Sequence, residues 1–151
     1  MKPTAPDWRS MKAKLRRMRE LLDLLVSLGE FDTTRLQQDL IATLAAERIL
    51  TQVVGLAFAT NSHIAVTMLK RAPDSYGESF VLAAKAGAID HELAQQLIPS
   101  TKLRNVLIHE YADIDLDKVA AAIPMAIDQY GEYVRIVASW IADRQNVSGG
   151  T

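Results

Sequence analysis

Arg104-Asn105-Val106-Leu107-Ile108-His109-Glu110-Tyr111 is the stretch around which the rest of the chain can be read. It crowds an arginine, an amide, a histidine and a phenol into two helical turns. Each residue of a helix advances by about 100° and about 1.5 Å. Asn105 and His109, four apart, share one stripe, and Arg104 and Tyr111, seven apart, share a second, adjacent one. Arg104 and His109 are then separated by roughly 140°. They line one cleft only from its two edges, or with the long arginine side chain bent round. A second copy of the helix, related by a two-fold axis, would complete such a cleft. The chemistry on offer is a fixed cation for a phosphate, a group that titrates near neutrality, and polar side chains that orient both.

Outward from this stretch the pattern is helical nearly everywhere. Glycine and proline are sparse and alternating apolar/polar runs are missing, which predicts an all-α bundle. A chain of 151 residues makes one domain with a sizeable core. The absence of cysteine excludes disulfides, thiolate metal sites and a cysteine nucleophile, and three scattered histidines give no basis for a metal cluster. A net charge of −1 argues against a non-specific nucleic-acid binder while leaving room for a local phosphate site. Residues 1–7 read as a flexible tail leading into a charged helix and not as a secretory signal. With no apolar run expected to span a bilayer, the expected location is cytoplasmic, without a membrane partner.

The first helix is expected from Trp8 to about Gly29, with Leu15, Met18, Leu22 and Leu25 as its core stripe. Lys12, Lys14, Arg16, Arg17 and Arg19 cluster on it, as a solvated face or as a landing strip for phosphates. Asp32 or Thr33 caps a second helix whose apolar side runs Leu36, Leu40, Leu44, Ile49, Val53, Leu56. That helix can continue past His63, expected to be partly buried and hydrogen-bonded, until Arg71-Ala72-Pro73 stops it. Glu47 and Arg48 are charges within this pattern, at its edge or paired at a partner surface. Ser75 begins a short helix that ends at Gly87, and Asp90 caps the next, with His91 exposed in its first turn. Pro99 either kinks that helix or separates two, Ser100 or Thr101 capping the fresh start. The motif helix should end near Tyr111 or Ala112. Asp113 or Asp115 then caps the last, which runs to about Arg144, with Pro124 bending it unless the helix begins later. Val134, Val137, Ala138 and Ile141 are its core candidates, with Trp140 at an edge. The expected domain is 8–144, followed by a flexible tail at 145–151.

Arg104 followed by His109 and Tyr111 resembles the R-x-x-x-x-H-x-Y signature of HepT-like toxins in the HEPN superfamily. Tyr76-Gly77-Glu78-Ser79-Phe80, with Leu82-Ala83, Gly87, Leu93-Ala94 and Leu97, resembles that family's lead-in, and Asp113 through Val119 its exit. The similarity runs from about Leu15 to Ile141, and Pro99 departs from the family pattern. The resemblance implies an up-and-down HEPN-like bundle of five to six helices, homodimeric, acting as a metal-independent endoribonuclease toxin that needs no cofactor. In that scheme His109 is general acid or base on the RNA 2′-hydroxyl or the departing 5′ oxygen. Arg104 holds the phosphate charge and Asn105 supports the site. Lys12, Arg16, Arg19 and Lys102 are candidates for RNA contact. The resemblance further implies a nucleotidyltransferase antitoxin of the MNT type, which inhibits the toxin and can attach AMP to Tyr111. The alternative is a non-catalytic HEPN helical module that binds a nucleotidyltransferase and presents its substrate.

Overall fold

The computed structural model describes residues 6–109 and 115–149; the side chains of 104–109 and of 148–149 fall outside the description. Among the described residues six helices follow one another: α1 (Trp8–Ser27), α2 (Thr33–Gln38), α3 (Leu40–Leu69), α4 (Tyr76–Lys85), α5 (His91–His109) and α6 (Leu116–Gly149). The all-α bundle expected from the periodicity, and the up-and-down arrangement that the family resemblance implies, are the ones observed. Of the four long helices, α1 packs on α3 and α6, and α5 packs on the same two. Hence α1 and α5 occupy opposite corners. The short α2 bridges α3 and α6, while α4 lies across α3 and α5.

Each helix starts where a short polar side chain can accept from an otherwise unpaired first-turn amide. Asp7 accepts from Ser10, Asp32 from Arg35, Asp39 from Ala42, Ser75 from Glu78 and Asp90 from Leu93. Asp115 takes the amides of Asp117 and Lys118 at the head of α6. Gly29 and Gly87 end their helices with φ of +84° and +88°, the left-handed region that glycine enters without strain.

The core combines Met11, Leu15, Met18, Leu22 and Leu25 of α1 with Val53, Ala57 and Ile64 of α3 and Leu93 and Leu97 of α5. From α6 come Tyr130, Tyr133, Val137 and Ile141, and from α4 the ring of Phe80, edge-on to Tyr133 at 6.0 Å. A polar thread crosses this interior. Tyr133 donates to Asn61 Oδ1 at 2.6 Å, Asn61 Nδ2 donates to Ser79 Oγ at 3.2 Å, and Ser79 Oγ donates to the Tyr76 carbonyl at 2.6 Å. Burial pushes the Tyr133 hydroxyl well above its ordinary pKa, so it stays a neutral donor.

Four expectations need correcting. The second helix is not continuous: Asp39 (φ −98°, ψ 80°) breaks it into α2 and α3. The break shifts the helical phase, so Leu40 and Leu44, expected in the core, are 65% and 50% exposed, beside Ile41 at 84%. Ala138, also expected in the core, is exposed. Finally α6 continues to Gly149, well past Arg144, whose guanidinium stacks on the Trp140 ring at 4.9 Å; Trp140 in turn meets Trp8 edge-on. As for membranes, α3 is long and apolar enough to cross one, which the reading of the sequence did not expect, with 39% of its most apolar window buried in the protein. Its contacts with α1, α2, α4 and α5, and the buried Asn61 and Thr60 it carries, are those of a central bundle helix.

Glu47 and Arg48 go separate ways. Arg48 is exposed, whereas Glu47 is half-buried in a groove with Leu36, Leu50, Leu116, Val119 and Ile123. Desolvation there raises its carboxyl above the ordinary range. The folded state therefore holds this proton more tightly than the unfolded chain. The group's contribution to stability is most favourable below the unfolded pKa and declines as pH rises through the raised folded value. Glu47→Gln is expected to raise the melting temperature at neutral pH and leave it unchanged in acid, as thermal scans at the two pH values will read.

Candidate functional site

Helix α5 carries the motif, and its local chemistry explains how it passes Pro99. A proline inside a helix lacks an amide hydrogen and costs about 3 kcal/mol. Two hydroxyls follow it. Ser100 Oγ donates to the Leu97 carbonyl at 2.5 Å and Thr101 Oγ1 to the Ile98 carbonyl at 2.8 Å, so both fold back onto the helix instead of capping a new one. Ser100 also meets the Tyr130 hydroxyl of α6 at 2.5 Å. Burial, only partly offset by the Ser100 contact, drives the Tyr130 pKa upward and keeps its hydroxyl protonated. Buried Leu93 and Leu97 complete the inward face. The outcome is one unbroken helix of 19 residues.

The register of α5 sorts the motif positions. Position 104 follows Leu97 by seven residues and continues its stripe. Position 109 continues the outward stripe of exposed Lys102, seven residues before it, whereas position 105 falls between buried Thr101, four residues before it, and Lys102. Arg104, Asn105 and His109 thus share one helix on two stripes, as their spacing requires. Their side chains lie outside the described residues, and Tyr111 lies outside them altogether.

Lys102 is exposed on this outward stripe. It lines an open groove of about 520 Å³ together with Phe58 of α3, Asp74, Ser75, Tyr76 and Gly77 at the head of α4, and Ile98 and Thr101 of α5. The Phe58 and Tyr76 rings meet edge to face, 4.4 Å apart. Reading the sequence missed Phe58 and Asp74, since nothing in their local pattern signals that α3 and α4 converge on α5.

The other charged candidates lie elsewhere. Lys12, Arg16 and Arg19 form one exposed stripe on α1, at the corner opposite α5, and Arg19 pairs with Asp23 at 3.4 Å. They are not brought together with the motif helix. His63 is half-buried, as expected, and its Nε2 accepts the Asp7 amide at 2.9 Å, tying α3 to the start of α1. It borders a different groove, with Val66, Thr67, Lys70 and Arg71. His91 is exposed.

Known proteins resemble this chain in sequence and in fold. Residues 11–137 match the family described as ribonuclease HepT-like. A tRNA nuclease HepT from Aphanizomenon flos-aquae is 35% identical over 116 residues, covering 77% of this chain and 76% of that protein. An mRNA nuclease HepT from Shewanella oneidensis is 26% identical over 65 residues, 43% of this chain and 49% of that one. Among solved structures, a tri-AMPylated HEPN toxin of Shewanella oneidensis in complex with an MNT antitoxin superposes with a TM-score of 0.76 at 18% identity. The superposition covers 86% of this chain and 97% of that one. YutE of Bacillus subtilis, a cytosolic protein of unknown function, superposes with a TM-score of 0.76 at 17% identity over 91% and 92%. The family match spans Arg104 through Tyr111, the motif, and the bundle is the fold of the HEPN toxin: the chain belongs to the ribonuclease HepT-like family.

Proposed function

We propose that this protein is the endoribonuclease toxin of a two-component toxin–antitoxin system. The observation that carries the reading is the 35% identity to a tRNA nuclease over three quarters of both chains, within a family match that includes Arg104, His109 and Tyr111. The chemistry needs no metal. His109 takes the proton of a ribose 2′-hydroxyl, or protonates the leaving 5′ oxygen, and Arg104 holds the charge that grows on the phosphorus as the new P–O bond forms. The 2′ oxygen becomes bonded to phosphorus and the bond to the 5′ oxygen breaks. The products are a 2′,3′-cyclic phosphate and a 5′-hydroxyl. Asn105, one turn before His109, orients the imidazole or a phosphate oxygen. The test is cleavage of a defined RNA in excess chelator, with the ends identified by mass spectrometry. Chelator-sensitive cutting, or ends of the opposite polarity, overturns the mechanism.

Base and acid are both required, and one imidazole serves one role at a time. A homodimer with facing motif helices supplies two. The shape of the bundle supports such a pairing. Thr33 of α2 is hydrogen-bonded to Asp117 of α6, and Asp115 follows His109 by only six residues. The exposed Leu40, Ile41 and Leu44 at the head of α3 are therefore at the motif end of the bundle, where a second copy would cover them. Light scattering should report a dimer; a stable monomer that still cuts RNA refutes the shared site.

The partner is a nucleotidyltransferase antitoxin of the MNT type, a reading supported by the solved HEPN toxin complexes that share this fold. It acts by transferring AMP to Tyr111, which places a phosphate against Arg104 and repels RNA. Incubation with the partner and ATP should add the mass of AMP to the wild type and not to Tyr111→Phe. Neutralisation without any added mass would mean inhibition by binding alone.

A further inference from the structure

The groove beside Lys102 has a composition that the cleavage chemistry does not use. It offers one exposed cation, one exposed carboxylate (Asp74), and two half-exposed rings, within a volume suited to a small polar ligand with an aromatic part. Its position is the second observation. Lys102 and position 109 share the outward stripe of α5, Lys102 preceding position 109 by seven residues, about 10 Å along the axis. The groove therefore lies in line with the catalytic end of the helix.

We propose that this groove is a nucleotide subsite for single-stranded RNA. One unpaired base packs against Phe58 while its phosphate meets Lys102, and the strand continues along α5 to the scissile bond at His109. The reasons are chemical. Every base has a π-face, and aromatic side chains bind single strands through it with little sequence preference. A lone lysine is a point charge for one phosphate. Asp74, on the other wall, repels phosphate and accepts hydrogen bonds, so it faces the sugar hydroxyls or an exocyclic amine of the base. The groove thus orients the nucleotide with its anionic side toward α5. This inference rests on the ribonuclease reading for the direction of the strand, but it is tested by binding and so stands or falls separately.

The probe is a fluorescein-labelled, non-cleavable 2′-O-methyl oligoribonucleotide, titrated by anisotropy over a series of salt concentrations. Lys102→Gln should weaken binding several-fold and lower the slope of log affinity against log salt by about 0.7, the signature of one lost phosphate contact on a single strand. Phe58→Leu keeps the apolar bulk but removes the ring face, and should weaken binding about 10-fold. Lys85→Gln, at the far end of α4, should change neither quantity. Circular dichroism checks each fold, and if Phe58→Leu unfolds, Lys102→Gln decides alone. Affinity and slope in Lys102→Gln equal to wild type overturn the subsite even if RNA is cleaved, as does binding no tighter than that of free AMP. The reverse pattern, no cleavage by the wild type but binding lost in Lys102→Gln, overturns the ribonuclease reading and leaves the subsite standing.

Discussion

His109→Ala is expected to lower the rate of RNA cleavage in chelator by about 10²–10⁴-fold, the usual worth of a positioned acid or base. Its melting temperature should stay at the wild-type value, because position 109 lies on the outward stripe of α5, in register with exposed Lys102 and not with buried Leu97. Arg104→Lys is the companion variant. Lysine keeps the charge but loses the planar fork that grips two phosphate oxygens, so a loss of about 10²–10³-fold should fall on kcat more than on KM. A single-turnover assay at saturating enzyme separates the two effects. If His109→Ala cuts RNA at the wild-type rate, the imidazole takes no part in the chemistry. If cleavage is lost together with binding of the 2′-O-methyl probe, the loss comes from structure and not from chemistry.

The second large effect concerns the interior. Phe80→Ala is expected to destabilise the fold by about 3–5 kcal/mol, seen as a drop in melting temperature of roughly 10–15 °C at fixed protein concentration. Phe80 is only 1% exposed, and it is the side chain through which α4 reaches the rings of Tyr130 and Tyr133. Removing it leaves a cavity between aromatic rings whose hydroxyls are anchored at Ser100 and Asn61, so neither tyrosine can swing in to fill it. Tyr133→Phe isolates the polar part of the same network. It keeps the packing but leaves the buried Asn61 oxygen without its donor, at an expected cost of about 1–3 kcal/mol. A Phe80→Ala effect no larger than that of Tyr133→Phe would show that the α4 contact is loose.

Much of the fold could be read from local signals. Asp32, Ser75 and Asp90 cap the helices they were expected to cap, and Leu15, Met18, Leu22 and Leu25 are buried, because capping and a 3.6-residue stripe act over a few neighbouring residues. The break at Asp39 was hidden for a related reason. An apolar residue stands at every fourth position on both sides of it (Leu36, Leu40, Leu44), so periodicity alone cannot register a change of phase. Pro99 posed the opposite difficulty. It is a strong breaker by itself, yet the burial of Leu93 and Leu97 and the Ser100–Tyr130 contact, invisible from the sequence, hold the helix through it. Likewise Arg104 and His109 stand out as a motif six residues long, whereas the Phe58–Asp74–Lys102 groove is assembled from three separate elements and has no linear signature.

Placing α1 and α5 at opposite corners keeps the basic stripe of α1 apart from the motif helix. Lys12 and Arg16, exposed on α1, stand the width of the bundle away from the motif helix, so under the ribonuclease reading they are expected to act on an approaching strand and not on the scissile bond. Reversing those charges should slow association and flatten its dependence on ionic strength, while the rate at which a bound strand is converted stays the same. The speed of arrival and the speed of chemistry can then be tuned independently, by substitutions that never meet.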